Sequence, residues 1–258
     1  NVEPHEHHLT DKPFNRYYLR SVDGFVYMSE QVRGELKAYT DAPALFSPHP
    51  LFENFGERVE RSEACVRLGL DPANRYALFF GLIRDYKGLD LLLDAWARLR
   101  RAGRTEGRRL IVAGEFYTAK EPYLKQIAAS GLQEEVLLHD RFIPDAGVKD
   151  YFSAADFVVQ PYKTATQSGV TQIAYQFCTP MVVTDVGGLA EIVPDGKVGY
   201  VCAPTAEAIA AAVERISDDG TLALFRRNCV GERRRFSWER MCDRVTELYG
   251  LVSGTPER

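Results

Sequence analysis

From Tyr76 onward the chain alternates between short, uninterrupted apolar runs and longer segments whose apolar residues recur every three or four positions. The runs are YALFFGLI from Tyr76, LIVAG from Leu110, VLLHD from Val136, FVVQPY from Phe157, MVVTDV from Met181 and GYVCA from Gly199. None alternates apolar with polar residues, as expected of central strands covered on both faces. Between the first two runs, Leu89, Leu92, Leu93, Trp96 and Leu99 form one helical stripe, and Gly103 is placed to end that helix. A second stripe, Ala208, Ile209, Ala212, Val213 and Ile216, follows the sixth run. Repeated strand–helix–strand units with right-handed crossovers predict an α/β fold, a Rossmann-like doubly wound parallel sheet of about six strands.

The two ends do not fit this repeat. Residues 1–47 hold one predicted strand, Gly24 to Ser29, with helical segments before and after it, and one strand cannot make a sheet. The following stretch, LFSPHPLFENFG, reads as a linker because Pro48 and Pro50 push the residues before them toward extended conformations. Residues 1–47 are therefore expected to be the tail of an incomplete earlier domain, and residues 48–236 the α/β domain. Trp238, Met241, Val245 and Leu248 predict a last amphipathic helix within 237–258, capped by Ser237.

Composition narrows the function classes. The 258 residues are 45% hydrophobic and 26% charged with a net charge of −4, which excludes a disordered chain and argues against a dedicated nucleic-acid binder. Five cysteines, widely spaced and without a C-x-x-C pair, fit neither a disulfide framework nor a zinc site. No apolar run reaches the ~20 residues of a membrane span, and the opening NVEPHEHH is unlike a signal peptide, so a cytoplasmic location is expected. His5, His7 and His8 read as a solvated terminus, and no metal is expected. The arginines of 100–109 and 226–235 read as solvated helix faces; weak peripheral contact with an anionic membrane is the other reading.

In an open parallel sheet the ligand lies beyond the carboxyl ends of the strands where their order reverses, which for this order is between the first and fourth. RDYKG follows the first run and KTATQSGV the fourth. Ser168, Gly169 and Val170 open a predicted helix, whose N–H groups and dipole favour an anion. Arg84 and Lys87 are placed to neutralise a diphosphate from the neighbouring loop. The G-x-G-x-x-G fingerprint of NAD or FAD binding is missing after the first run.

At these loops the sequence resembles the C-terminal domain of the group 1 glycosyltransferases, a retaining family of the two-domain GT-B fold. FFGLIRDYKGLDLLLDAW, LIVAGE, YFSAADFVVQPY and TPMVVTDVGGLAEIVPDGKVGYVCAP carry the resemblance in order and spacing. NVEPHE and VDGFVYMSE resemble the end of that family's N-terminal domain; a histidine near the reacting sugar commonly precedes the position of Asn1. The resemblance implies an arginine and a lysine on the donor diphosphate. Lys87 falls on the lysine position, whereas the arginine position is Leu82, leaving Arg84 to substitute from two residues further on. The family's Glu-x7-Glu positions fall on Ala165 and Ile173, so Gln167 or Gln172 is the candidate for the hydroxyl contacts of the donor. Glu191 matches a family glutamate that serves as ligand contact or helix start.

The function implied is hexosyl transfer from a nucleotide-diphosphate sugar, carrying UDP or GDP, to a carbohydrate or lipid-linked acceptor. Retention of configuration, no cofactor and no metal are expected, and this chain alone is expected to be inactive. The alternatives are a sugar-nucleotide epimerase or phosphorylase of the same fold, and a non-catalytic nucleotide-sugar-binding module.

Overall fold

The computed structural model describes residues 11–254. The first elements are α1 (Asp11–Arg20), β1 (Phe25–Tyr27), α2 (Glu30–Lys37) and β2 (Ala44–Phe46). Next come α3 (Arg61–Leu68), β3 (Arg75–Phe80), α4 (Leu89–Arg101), β4 (Arg108–Ala113), α5 (Glu121–Ala129) and β5 (Val136–His139). Then follow α6 (Asp145–Ala154), β6 (Phe157–Gln160), α7 (Gly169–Gln176), β7 (Met181–Thr184), α8 (Leu189–Ile192) and β8 (Gly199–Cys202). The chain closes with α9 (Ala206–Ile216), α10 (Asp219–Glu232) and α11 (Trp238–Ser253). It divides into two compact units, Phe52–Arg233 and Asn1–Leu51 with Arg234–Arg258.

In the larger unit the six apolar runs pair as one parallel sheet of order β5-β4-β3-β6-β7-β8. The order reverses between β3 and β6, the first and fourth runs. On one face Leu92, Leu93 and Trp96 of α4 and Ile209 and Val213 of α9 bury against Phe79, Leu110 and Val112. Each such side chain contributes about 1.5–3 kcal/mol of burial. The one polar atom of Trp96 is satisfied, since Nε1 donates to Glu135 at 3.1 Å. On the opposite face Phe80 meets Phe152 edge-on and Phe152 stacks on Phe177, which ties α6 and the end of α7 to β3.

The carbonyl end of α7 is held by arginines. Arg58 donates to the Phe177 carbonyl at 2.7 Å and Arg233 to that of Gln176 at 3.3 Å, while Arg226 donates to the carbonyls of Ala155 and Asp156. Arg226 and Arg233 therefore depart from the reading of 226–235 as a solvated face, because exposed carbonyls at helix ends recruit guanidinium donors. Burial, and then the neighbouring Arg226, lowers Arg58 to about 10.

Cys178, just past α7, is the one non-glycine among the described residues with a left-handed backbone, φ +48°. That conformation costs a side chain about 1–2 kcal/mol, and the long 3.8 Å contact from Arg233 to its sulfur returns little. Cys178→Gly is expected to gain up to about 1 kcal/mol after the entropy of glycine is counted, or about 2–4 °C in melting temperature. A calorimetric melt at or below the parental one would show that the sulfur contact outweighs the strain.

In the smaller unit β1 and β2 pair in parallel, Phe25 with Ala44 through Tyr27 with Phe46. This corrects the expectation of a single strand and of a linker starting at Leu45. ALF is too short to show a period, and it becomes a strand because β1 supplies its partner and Tyr27 packs on Phe46 at 5.6 Å between ring centroids. The last helix belongs to this unit: a Cβ on Gly24 would lie 2.9 Å from Leu248 and from Val252. Ser237 caps it, accepting from the Arg240 N–H at 3.3 Å. Among the described residues no helix is long and apolar enough to cross a membrane. His5, His7, His8 and the NVEPHE stretch lie outside the described residues.

Candidate functional site

The switch point is built by two loops packed backbone against backbone. After β3 the ladder to β4 continues: Gly81 N–H donates to the Ala113 carbonyl at 2.9 Å, Ile83 N–H to Glu115 at 2.8 Å, and Tyr117 N–H back to Ile83 at 3.0 Å. A single 3-10 turn, Asp85–Lys87, then leads to Gly88 in the left-handed region at φ +69°. Any Cβ on Gly88 would collide with the Pro161 carbonyl after β6, so glycine alone permits this approach. The Lys163 N–H donates to the Tyr86 carbonyl at 2.7 Å, locking the second loop to the first.

Lys87 is folded back into this junction. Its Nζ lies 3.2 Å, and Val170 Cγ2 3.8 Å, from where a Cβ on Gly81 would stand, so the missing side chain of Gly81 makes room for the ammonium beside the first turn of α7. Burial, and then the charge of Arg84, lowers Lys87 to about 8. Arg84 lies with its guanidinium carbon 4.0 Å over the ring of Tyr117. Among the described residues no carboxylate forms an ion pair with either cation. The loop acids Asp85 and Asp90 are committed elsewhere, each lying 2.9 Å from Lys163 Nζ.

Ser168, Gly169 and Val170 do open a helix, and no side chain caps it. The hydroxyl of Ser168 instead lies 3.1 Å from that of Tyr162, so this serine shapes the loop and leaves the start of α7 without a side-chain cap, while its carbonyl accepts from the Thr171 N–H at 3.2 Å. A Cβ on Gly169 would stand 3.3 Å from the Phe52 ring, so the missing side chain also makes room for this ring. Gln167 is half-buried. Gln172 is 3% exposed and its Oε1 is buried without a hydrogen-bond partner. Glu191 sits exposed on α8, whose preceding Gly188 N–H donates to the Thr166 carbonyl at 3.2 Å.

Lys87 and the start of α7 thus meet beside Gly81, with the charge of Arg84 bearing on the lysine, while Gln172 is enclosed within the packing around α7. Gly81, Tyr117 and Tyr162 were not anticipated. Tyr162 stands 5.8 Å from Lys87 Nζ and offers it a ring face in place of a counter-ion. A family model described as glycosyl transferases group 1 matches residues 74–219, more than half of the chain and all the elements of this junction. The chain belongs to the group 1 glycosyl transferases.

Within that family it is similar to a D-inositol 3-phosphate glycosyltransferase of Rhodococcus jostii, 32% identical over 201 residues that cover 75% of this chain and 44% of the relative. The chain spans about half the length of the curated relatives it matches. Among solved structures, sucrose-phosphate synthase from Thermosynechococcus elongatus superposes with a TM-score of 0.82 at 20% identity, over 97% of this chain and 63% of the other. HepE of Anabaena, solved in complex with UDP, gives 0.80 at 18% identity over 97% and 70%. These likenesses establish the doubly wound α/β domain of the GT-B glycosyltransferases as the fold of a group 1 member.

Proposed function

We propose that the chain is the donor-binding part of a retaining glycosyltransferase that moves a hexosyl group from a UDP- or GDP-sugar to a carbohydrate or lipid-linked acceptor. The observation that carries this reading is the pair of cations, Arg84 and Lys87, set at the switch point with no ion pair to a carboxylate among the described residues, Lys87 lying beside a helix start that no side chain caps. Two repelling positive charges at one junction are stabilised by a bound polyanion, and a nucleotide diphosphate presents its charge as a compact group of that kind. The same groups would stabilise the diphosphate as it leaves the sugar, which makes a metal ion or cofactor unnecessary. Ser168, Gly169 and Val170 would face the diphosphate through backbone N–H groups, and the half-buried Gln167 and exposed Glu191 are assigned to the sugar and ribose hydroxyls. Residues 1–47 are read as the end of an acceptor domain, so this chain alone binds donor without transferring it.

The test uses the intact protein with a panel of α-linked UDP- and GDP-hexoses. Formation of an α-linked product, followed by NMR and unaffected by EDTA, is the expected result. A β-linked product overturns retention, and loss of activity in EDTA that magnesium restores overturns the metal-free reading. Nucleotide binding with no turnover of any donor would favour the non-catalytic module instead.

A further inference from the structure

We propose that Tyr117 is a positioning residue that holds the Arg84 guanidinium over its ring and presents it to the donor diphosphate. The proposal rests on the reading of Arg84 as a diphosphate ligand and explains how an arginine displaced along the loop reaches its target. The position where the family places that arginine is Leu82, which is exposed. Ile83 lies in a β-bridge to Phe116 and Arg84 is extended, so residues 82 and 84 project to the same side of the segment. Arg84 therefore starts on the correct side but roughly 6–7 Å further along, at the rise of an extended chain. A long side chain at that distance samples many rotamers, and each must be given up on binding.

Tyr117 removes that freedom. The Tyr117 N–H bond to the Ile83 carbonyl, 3.0 Å, fixes the two loops side by side. The Arg84 guanidinium carbon lies 4.0 Å from the Tyr117 ring centroid, well inside cation–π range. Among the described residues this ring is the only partner assigned to the guanidinium: it forms no hydrogen bond and no ion pair. A guanidinium stacked by its face keeps its N–H edge free for bidentate contact with phosphate oxygens. Tyr117 is 63% exposed, so the ring does not owe its place to core packing. An exposed aromatic side chain whose one partner is a cation of the site is a platform for that cation.

Calorimetry with UDP and with inorganic pyrophosphate on the intact protein tests this. Arg84→Ala is expected to weaken both ligands about tenfold, and Tyr117→Leu about three- to tenfold for both. Tyr117→Phe, which keeps the ring, should bind within about twofold of the parent. The double variant Arg84→Ala, Tyr117→Leu should be no weaker than Arg84→Ala alone, because the ring acts only through the arginine. Multiplying effects in the double variant, or parental affinity in Tyr117→Leu, would overturn the proposal. A Tyr117→Leu variant that loses UDP but keeps pyrophosphate would overturn it too, since the ring would then be touching the base. Parental affinity in Arg84→Ala would remove Arg84 from the site, and the reading beneath the proposal would fall with it.

Discussion

Lys87→Met is expected to raise the melting temperature of the unliganded protein while weakening UDP binding at least tenfold. The two effects have one origin. Burial and the Arg84 charge lower Lys87 from the ordinary lysine value of 10.5 to about 8, so keeping it charged at neutral pH costs the empty fold roughly 3 kcal/mol. Methionine matches the length and volume of the lysine stem and carries no charge to bury. Loss of the ammonium's contact with the Tyr162 ring offsets part of the gain, and a net gain of about 1–2 kcal/mol corresponds to roughly 2–8 °C for a chain of this size. The loss in affinity follows from removing a charge-assisted contact worth about 1.5–3 kcal/mol, a factor of about 10–100. Calorimetry on the same preparation reads both quantities. A variant that melts lower and binds worse would show that the ammonium supports the fold, and one that binds UDP normally would remove Lys87 from the site.

The same trade-off explains which parts of the molecule could be read from its residues. The sheet was legible because strands buried on both faces carry unbroken apolar runs, and runs such as YALFFGLI and MVVTDV alternate regularly with helical stripes. The switch point followed from topology, and with it Arg84, Lys87 and the start of α7. Tyr117 was not legible: its role depends on a ladder that continues past the end of β3 and β4, a tertiary fact with no period in sequence. Gly81 and Gly88 look alike as loop glycines, yet one leaves space for an ammonium and the other lets a carbonyl approach. The strand Ala44–Phe46 was missed because three residues followed by two prolines show turn chemistry and no alternation. Arg226 and Arg233 were read as surface charge because nothing local marks a guanidinium that reaches a distant helix end.

Nucleoside diphosphate affinity is expected to fall about tenfold between pH 7 and pH 9, with the loss setting in as pH passes about 8. The free protein holds Lys87 at about 8. A bound diphosphate supplies the missing counter-ion and moves the lysine back up, so the complex holds more protons than its separated parts across this window. Binding therefore weakens as protons are removed, approaching tenfold per pH unit above the free value. The phosphates do not produce this slope, since the last phosphate proton, with a pKa near ~6, is already gone. Neighbouring Tyr162 does not produce it either, since burial pushes its phenol above the window. Folding stability runs the opposite way. The unfolded chain keeps Lys87 protonated up to about 10.5 while the empty fold releases the proton near 8, so stability from this residue rises with pH between those values. Titration calorimetry at fixed ionic strength from pH 7 to pH 9 should show falling affinity and proton uptake on binding, and both should vanish in Lys87→Met. An affinity flat across this range, or an equal slope in the methionine variant, would show that another group carries the proton and that Lys87 does not meet the diphosphate.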